Sequence, residues 1–187
     1  GNGELVIGGA YSIKLPMRNK SVITTKTTLE EVIEDNQSTF DYPQTIGAGV
    51  SYRWDKRLLV GADVSWQNFA DANYYGKTGQ LNDRFVYAIG AQYVHKPGSK
   101  KYVENMEFRL GANYANSYID IDNKSFDKWA ITWGAGFPLP NTRTKLNLHM
   151  EYGQQGSVQV NGLLERYYEI GIGVSLNERW FVKRKLK

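Results

Sequence analysis

Two histidines are the first residues to test for chemistry in this 187-residue chain. His149 stands two residues before Glu151, a spacing that puts both side chains on one face of a strand, and His95 lies beside a proline turn. Acid–base or nucleophilic work needs such a histidine held against a serine, cysteine or carboxylate in a defined set. No motif ties a serine or aspartate to either histidine, and cysteine is absent. The expectation is therefore no enzyme, no disulfide and no thiolate metal site. Asp120-Ile121-Asp122-Asn123 followed by Asp127 has calcium-loop character but lacks the glycine and closing glutamate of one. It reads as a solvated loop, with neither metal nor cofactor.

The other chemistry-bearing residues fall at alternate positions of strand-like segments. Arg53, Asp63, Arg84, Glu107, Arg109, Lys145, His149, Glu151 and Glu169 all share the face opposite the large apolar side chains. They read either as a polar track for a ligand's head group or as paired charges that fill and stiffen an interior. Buried charges need partners in either case. Asp63 and Arg84 are expected to pair across neighbouring strands.

The segments that must position these residues have a period of two. Leu58, Val60, Ala62, Val64 and Trp66 alternate with Leu59, Gly61, Asp63, Ser65 and Gln67. Similar alternation runs through Leu5–Ile13, Thr45–Trp54, Arg84–Tyr93, Met106–Tyr114, Lys128–Phe137, Lys145–Tyr152 and Tyr167–Leu176. Arg18–Thr28 is β-prone with poorly separated faces, which brings the expected total to about nine strands, each near the roughly 9–11 residues that cross a bilayer at a tilt. Mean hydropathy is low at −0.51, and no run approaches the ~18 apolar residues of a membrane helix. Alternating barrel strands keep mean hydropathy low, so a barrel remains open.

Compact turns are expected at Pro16–Asn19, Asp55-Lys56, Pro97–Lys100 and Pro138–Asn141. Longer polar loops are expected at Leu29–Phe40, Ala70–Asn82, Ile119–Asp127 and Gln154–Glu165. Basic residues gather at the short-turn side (Arg18, Lys20, Lys56, Arg57, Lys96) and acidic residues at the long-loop side (Glu30, Glu31, Asp71, Asp120). Aromatics cluster near both ends, as two membrane interfaces favour. A soluble barrel would turn its Gly-Gly-Ser and Thr-Gly-Gly faces to water, where Lys and Glu belong. The inside-out arrangement fits better. The net charge of +4 is dispersed over turns and strands rather than gathered on one binding surface, which argues against a nucleic-acid partner.

Several strands resemble those of the FadL-type family of outer-membrane transporters for hydrophobic compounds. The likeness lies in Tyr42–Tyr52, Leu59–Trp66, Asn82–Tyr93, Phe108–Tyr114 and the glycine-rich Gly134–Leu139, in that order. The resemblance implies a 14-stranded barrel with an N-terminal hatch, of which this chain would supply the C-terminal part as a single domain over residues 1–187. It implies passive uptake of long-chain fatty acids or aromatic compounds across the outer membrane of a Gram-negative cell. A second reading, a barrel acting as scaffold or docking partner in surface-protein export or assembly, stays open.

The expected fold is thus an all-β, antiparallel, up-and-down transmembrane barrel. Its expected surroundings are outer-membrane lipid and lipopolysaccharide, a hydrophobic small-molecule ligand, and partner protein or missing strands at both edges. If Arg18–Thr28 is not a strand, eight strands could close on themselves. Trp180-Phe181 reads as the true strand end, before a basic tail.

Overall fold

The computed structural model describes residues 2–18, 21–26, 30–35, 39–74, 77–99, 101–121, 124–139 and 144–176. Eight strands form one antiparallel sheet in chain order. They are β1 (Gly3–Ser12), β2 (Gln44–Trp54), β3 (Leu58–Asn68), β4 (Arg84–Val94), β5 (Glu107–Ala115), β6 (Lys128–Pro138), β7 (Lys145–Ser157) and β8 (Leu163–Ser175). Every strand pairs with its sequence neighbour. Among the described residues β1 and β8 pair with nothing on their outer sides, so the sheet is open at two edges.

The alternation seen in the sequence becomes two unlike faces. One carries the large apolar side chains, and they are exposed: Ile7 75%, Ile89 64%, Leu110 63% and Ile172 74%. The other carries small and charged residues. All the buried residues of the sheet (Val94, Glu107, Ala115, Ala130, Gly136 and Gly153) lie on that second face. Burial on the small side and exposure on the apolar side mean that the sheet curls toward its small face.

Connections fall alternately at the two ends of the sheet. At one end lie a tight turn at 55–57, the segment 95–106 with its short helical turn Val103–Asn105, and 139–144. Asp55 and Lys56 both have positive φ, 47° and 58°, as a type I′ hairpin turn requires of its two central residues. At the other end lie 69–83, 116–127 and an arm between β1 and β2. In the arm Leu15–Arg18 pairs with Thr39–Tyr42 and Ser21–Lys26 with Glu30–Asp35.

The arm corrects three expectations. Arg18–Thr28 does not cross beside β1, because Ser21–Lys26 belongs to a separate two-stranded ribbon, so the main sheet has eight strands rather than nine. Pro16 and Met17 lie within a paired strand, not a turn, and the expected loop 29–40 contains two further strands. Arg18 accordingly belongs to the long-loop end. At Gln154–Glu165 the ladder runs on to Ser157↔Leu163, leaving 158–162 as a compact connection rather than a long loop. Trp180-Phe181 lies outside the described residues.

The long-loop end is packed. Phe69 stacks on Tyr118 with ring centroids 4.3 Å apart, and Ala72, Leu81 and Pro43 are buried there. Asp83 accepts from the Trp66 indole Nε1–H at 2.9 Å and from the Ala70 N–H at 3.1 Å. Asn116 donates to the Asp83 carbonyl at 2.8 Å. On the arm, Lys14 meets Asp41 at 3.0 Å, and Asp41 accepts from the Asn73 N–H at 3.0 Å. Asp83→Ala should strand the Trp66 and Ala70 donors and cost about 1–3 kcal/mol. A urea-unfolding midpoint equal to that of the unaltered chain would show that Asp83 does not hold this loop.

Candidate functional site

The unbroken register gathers every sequence-derived candidate on the small face. Reading across the strands, Arg53, Leu59, Gln92, Arg109, Gly134, His149 and Gly171 form one row. In the adjoining row Gly61, Gly90, Gly111, Thr132, Glu151 and Glu169 follow one another. The charges cluster on β5–β8, near the short-turn end.

The centre of the cluster is Glu107, buried to 7% exposure. Its carboxylate pairs with Arg109 at 2.6 Å and with the Lys145 ammonium. Arg109 also donates to Gln92 at 2.9 Å and to Asn147 at 3.0 Å, and Asn147 donates to Ser175 at 2.9 Å. Glu107 and Lys145 stand on strands two apart, with β6 between them. The β6 residue opposite both Glu107 and Asn147 is Gly136. A β-carbon there would lie 3.1 Å from a Glu107 carboxylate oxygen and 3.3 Å from Asn147 Oδ1. The missing side chain on β6 is what lets charges separated by roughly 10 Å of sheet meet over it.

The remaining candidates make smaller contacts. His149 Nε2 approaches Glu169 at 3.8 Å and its ring lies over Gly171. Glu151 accepts from the Tyr167 hydroxyl at 2.5 Å, and the Lys128 ammonium sits 4.6 Å from the centre of the Tyr167 ring. Arg53 meets Glu4 at 3.3 Å, and Arg84 donates to Gln67 at 3.4 Å. The expected Asp63–Arg84 pair does not form. The ladder sets Asp63 opposite Ala88 and Arg84 opposite Gln67, four residues along the strand. The Asp63 carboxylate instead lies over Gly49, and Asp63 makes no ion pair among the described residues.

Tyr167, Gln92 and Asn147 were not singled out in the sequence, although alternation alone puts them on this face. The arrangement is a set of ion pairs and hydrogen bonds centred on Glu107, Arg109 and Lys145. Among the described residues no group of three His, Asp or Glu is placed to hold a metal ion. Asp120 is taken up by Asn82 at 2.6 Å. Asp127 accepts from the Ser125 hydroxyl, from Tyr114 at 2.5 Å and from the Ser117 N–H at 3.1 Å. Burial pushes the Asp127 carboxyl up, but the hydrogen bonds from Ser125, Tyr114 and Ser117 outweigh it and leave it below its ordinary value.

A family model described as BamG matches residues 10–187. No curated protein and no solved structure matches the chain. The match overturns the FadL-type resemblance, because the family it identifies is a different one. Gly-x-Gly-aromatic alternation carried that resemblance and is common to many curved, inside-out sheets. The fourteen-strand count and the uptake of fatty acids or aromatics lose their support with it.

Glu107→Ala should cost about 1–3 kcal/mol by leaving two cations without their shared acceptor, read as a lowered urea-unfolding midpoint. An unchanged midpoint would mean that water replaces the carboxylate freely. Asp127 carries a pH signature. A carboxyl lowered in the folded state contributes stability above its ordinary value of 3.8, and that contribution is lost as the pH falls through the lowered folded value. The stability gap between the unaltered chain and Asp127→Asn should be full at pH 6 and close on acidification below that value. A gap independent of pH would contradict the assignment.

Proposed function

The chain belongs to the BamG family, and from that premise we propose that it is a β-sheet wall of the outer membrane that docks or scaffolds a partner during outer-membrane protein assembly. The family match carries the role, since its name points to the Bam complex and so toward the outer membrane or its periplasmic face. The apolar face supports the placement within the bilayer.

That face is not level across the sheet. On β8 the exposed apolar strip runs from Tyr168 to Leu176 and centres on Ile172. The row of Ile172 passes through Leu148, Ala135, Phe108, Tyr93, Leu58 and Trp54 to Gly3. On β1 and the arm base, however, the strip runs from Leu5 to Met17 and centres on Tyr11, eight residues beyond Gly3. On β6 it spans Trp129–Phe137 and centres on Trp133, whose row reaches β8 at Ile170, already two residues from Ile172. The strip therefore drifts by about one residue per strand. At about 3.3 Å along and 4.8 Å across, that is a tilt of roughly 35°, at the lower end of the 35–45° of membrane barrels. A flat apolar slab cuts such a drift from tilted strands. The drift also brings Ile13, Leu15 and Met17 to the level of the other strips, so the arm base lies at membrane depth.

The small face suits this reading. The ion pairs of Glu107 with Arg109 and Lys145 stiffen the wall, and the wall then offers a partner its arm and packed loops.

Two measurements test the proposal. A tagged chain extracted from native membranes in mild detergent should co-isolate with the Bam complex at near-equal stoichiometry. Isolation free of every Bam component would overturn the assembly role. Spin labels at Ile89, Leu110, Ile172 and Met17 should report lipid, and labels at Gly61, Gly90 and Gly111 should not. The reverse pattern would overturn the membrane placement.

A further inference from the structure

We propose that β1 and β8 pair with each other in the bilayer, with Ile172 opposite Tyr11 or Ile13, so that the eight strands close into a small barrel. The inference rests on the membrane placement above and adds the occupant of the two open edges.

Strand number and direction come first. Eight is even, so β1 and β8 run in opposite directions, and an antiparallel seam between them needs no further strand. Gly3–Ser12 and Leu163–Ser175 contain no proline and no lysine, two of the devices by which soluble edges avoid pairing. In hydrocarbon each unpaired edge group is costly, and only closed sheets span.

The drift of the apolar strip then fixes the register. A row that leaves β1 at Gly3 reaches β8 at Ile172. To keep the strip level across one more step it must return to β1 at Tyr11 or at Ile13, the residues of the correct face. These returns displace the row by eight or ten residues, the shear of an eight-stranded barrel tilted by roughly 35–41°.

The two walls that closure would bring face to face also complement each other. The β1–β4 wall is small where it matters, with a hollow of about 600 Å³ lined by Gly8, Gly47, Gly49, Gly61 and Ala88. The β5–β8 wall carries the long polar side chains Arg109, His149, Glu151, Tyr167 and Glu169. An eight-stranded barrel has an interior just wide enough for its side chains to fill, and here one wall supplies the space and the other the filling.

The chain has no cysteine, so introduced pairs report cleanly. In proteoliposomes, Tyr11→Cys with Ile172→Cys, or Ile13→Cys with Ile172→Cys, should form an intramolecular disulfide in a particle of one-chain mass. Gly3→Cys with Ile172→Cys should not. In the unaltered, lipid-reconstituted monomer, amides of β1 and β8 should exchange as slowly as those of β3 and β4. Disulfides that only join two chains, or fast exchange at both edges of the monomer, would overturn closure. If the labels at Ile89 and Leu110 still report lipid in that case, the membrane placement stands and other strands complete the sheet. If they do not, both readings fall.

Discussion

A strand slipped by one residue against its neighbour turns every side chain to the opposite face. Seven consecutive ladders in this protein run without such a slip. All else depends on that continuity. It keeps Ile7, Ile89, Leu110 and Ile172 together on the exposed side. It also stacks Gly136 between Glu107 and Asn147, so that a buried carboxylate can reach a lysine two strands away. Break the register at β6 and the ion-pair lattice and the apolar wall fail together, because they are two sides of one pattern.

The faces were legible in the sequence because alternation is a local property. Each candidate from Arg53 to Glu169 lies opposite the large apolar side chains. What alternation does not encode is which strand lies beside which. Ser21–Lys26 is as β-prone as a sheet strand, yet its partner is Glu30–Asp35, and the chain turns back before it can cross beside β1. Asp63 and Arg84 carry the right charges on adjacent strands, but β3 and β4 meet four residues out of step for them. The close of the β7–β8 ladder was misplaced because Gln154-Gln155-Gly156-Ser157 is polar and loop-like in composition, while pairing with Leu163–Arg166 holds it extended.

Family likeness was harder to read. Glycine and aromatic residues alternate here because a concave small face and an exposed apolar face demand them, and those demands recur in unrelated outer-membrane proteins. The likeness to FadL-type strands thus reported the environment rather than the ancestry. The BamG match covers residues 10–187 as a whole, including the arm, where the environment imposes no such repeat.

The arm also has a mechanical meaning. It prolongs β1 and β2 beyond the body of the sheet, and Asp41 ties its base to the neighbouring loop by accepting from the Asn73 N–H. A pull on the arm along the strand axis enters β1 and β2 together and is passed to β3 as shear across eleven residue pairs. Ladder bonds lie crosswise to such a load and share it, whereas a sideways pull would open them one at a time. The arm can therefore bear tension along its length and give way when bent, which makes the direction of an applied force part of what this protein can respond to.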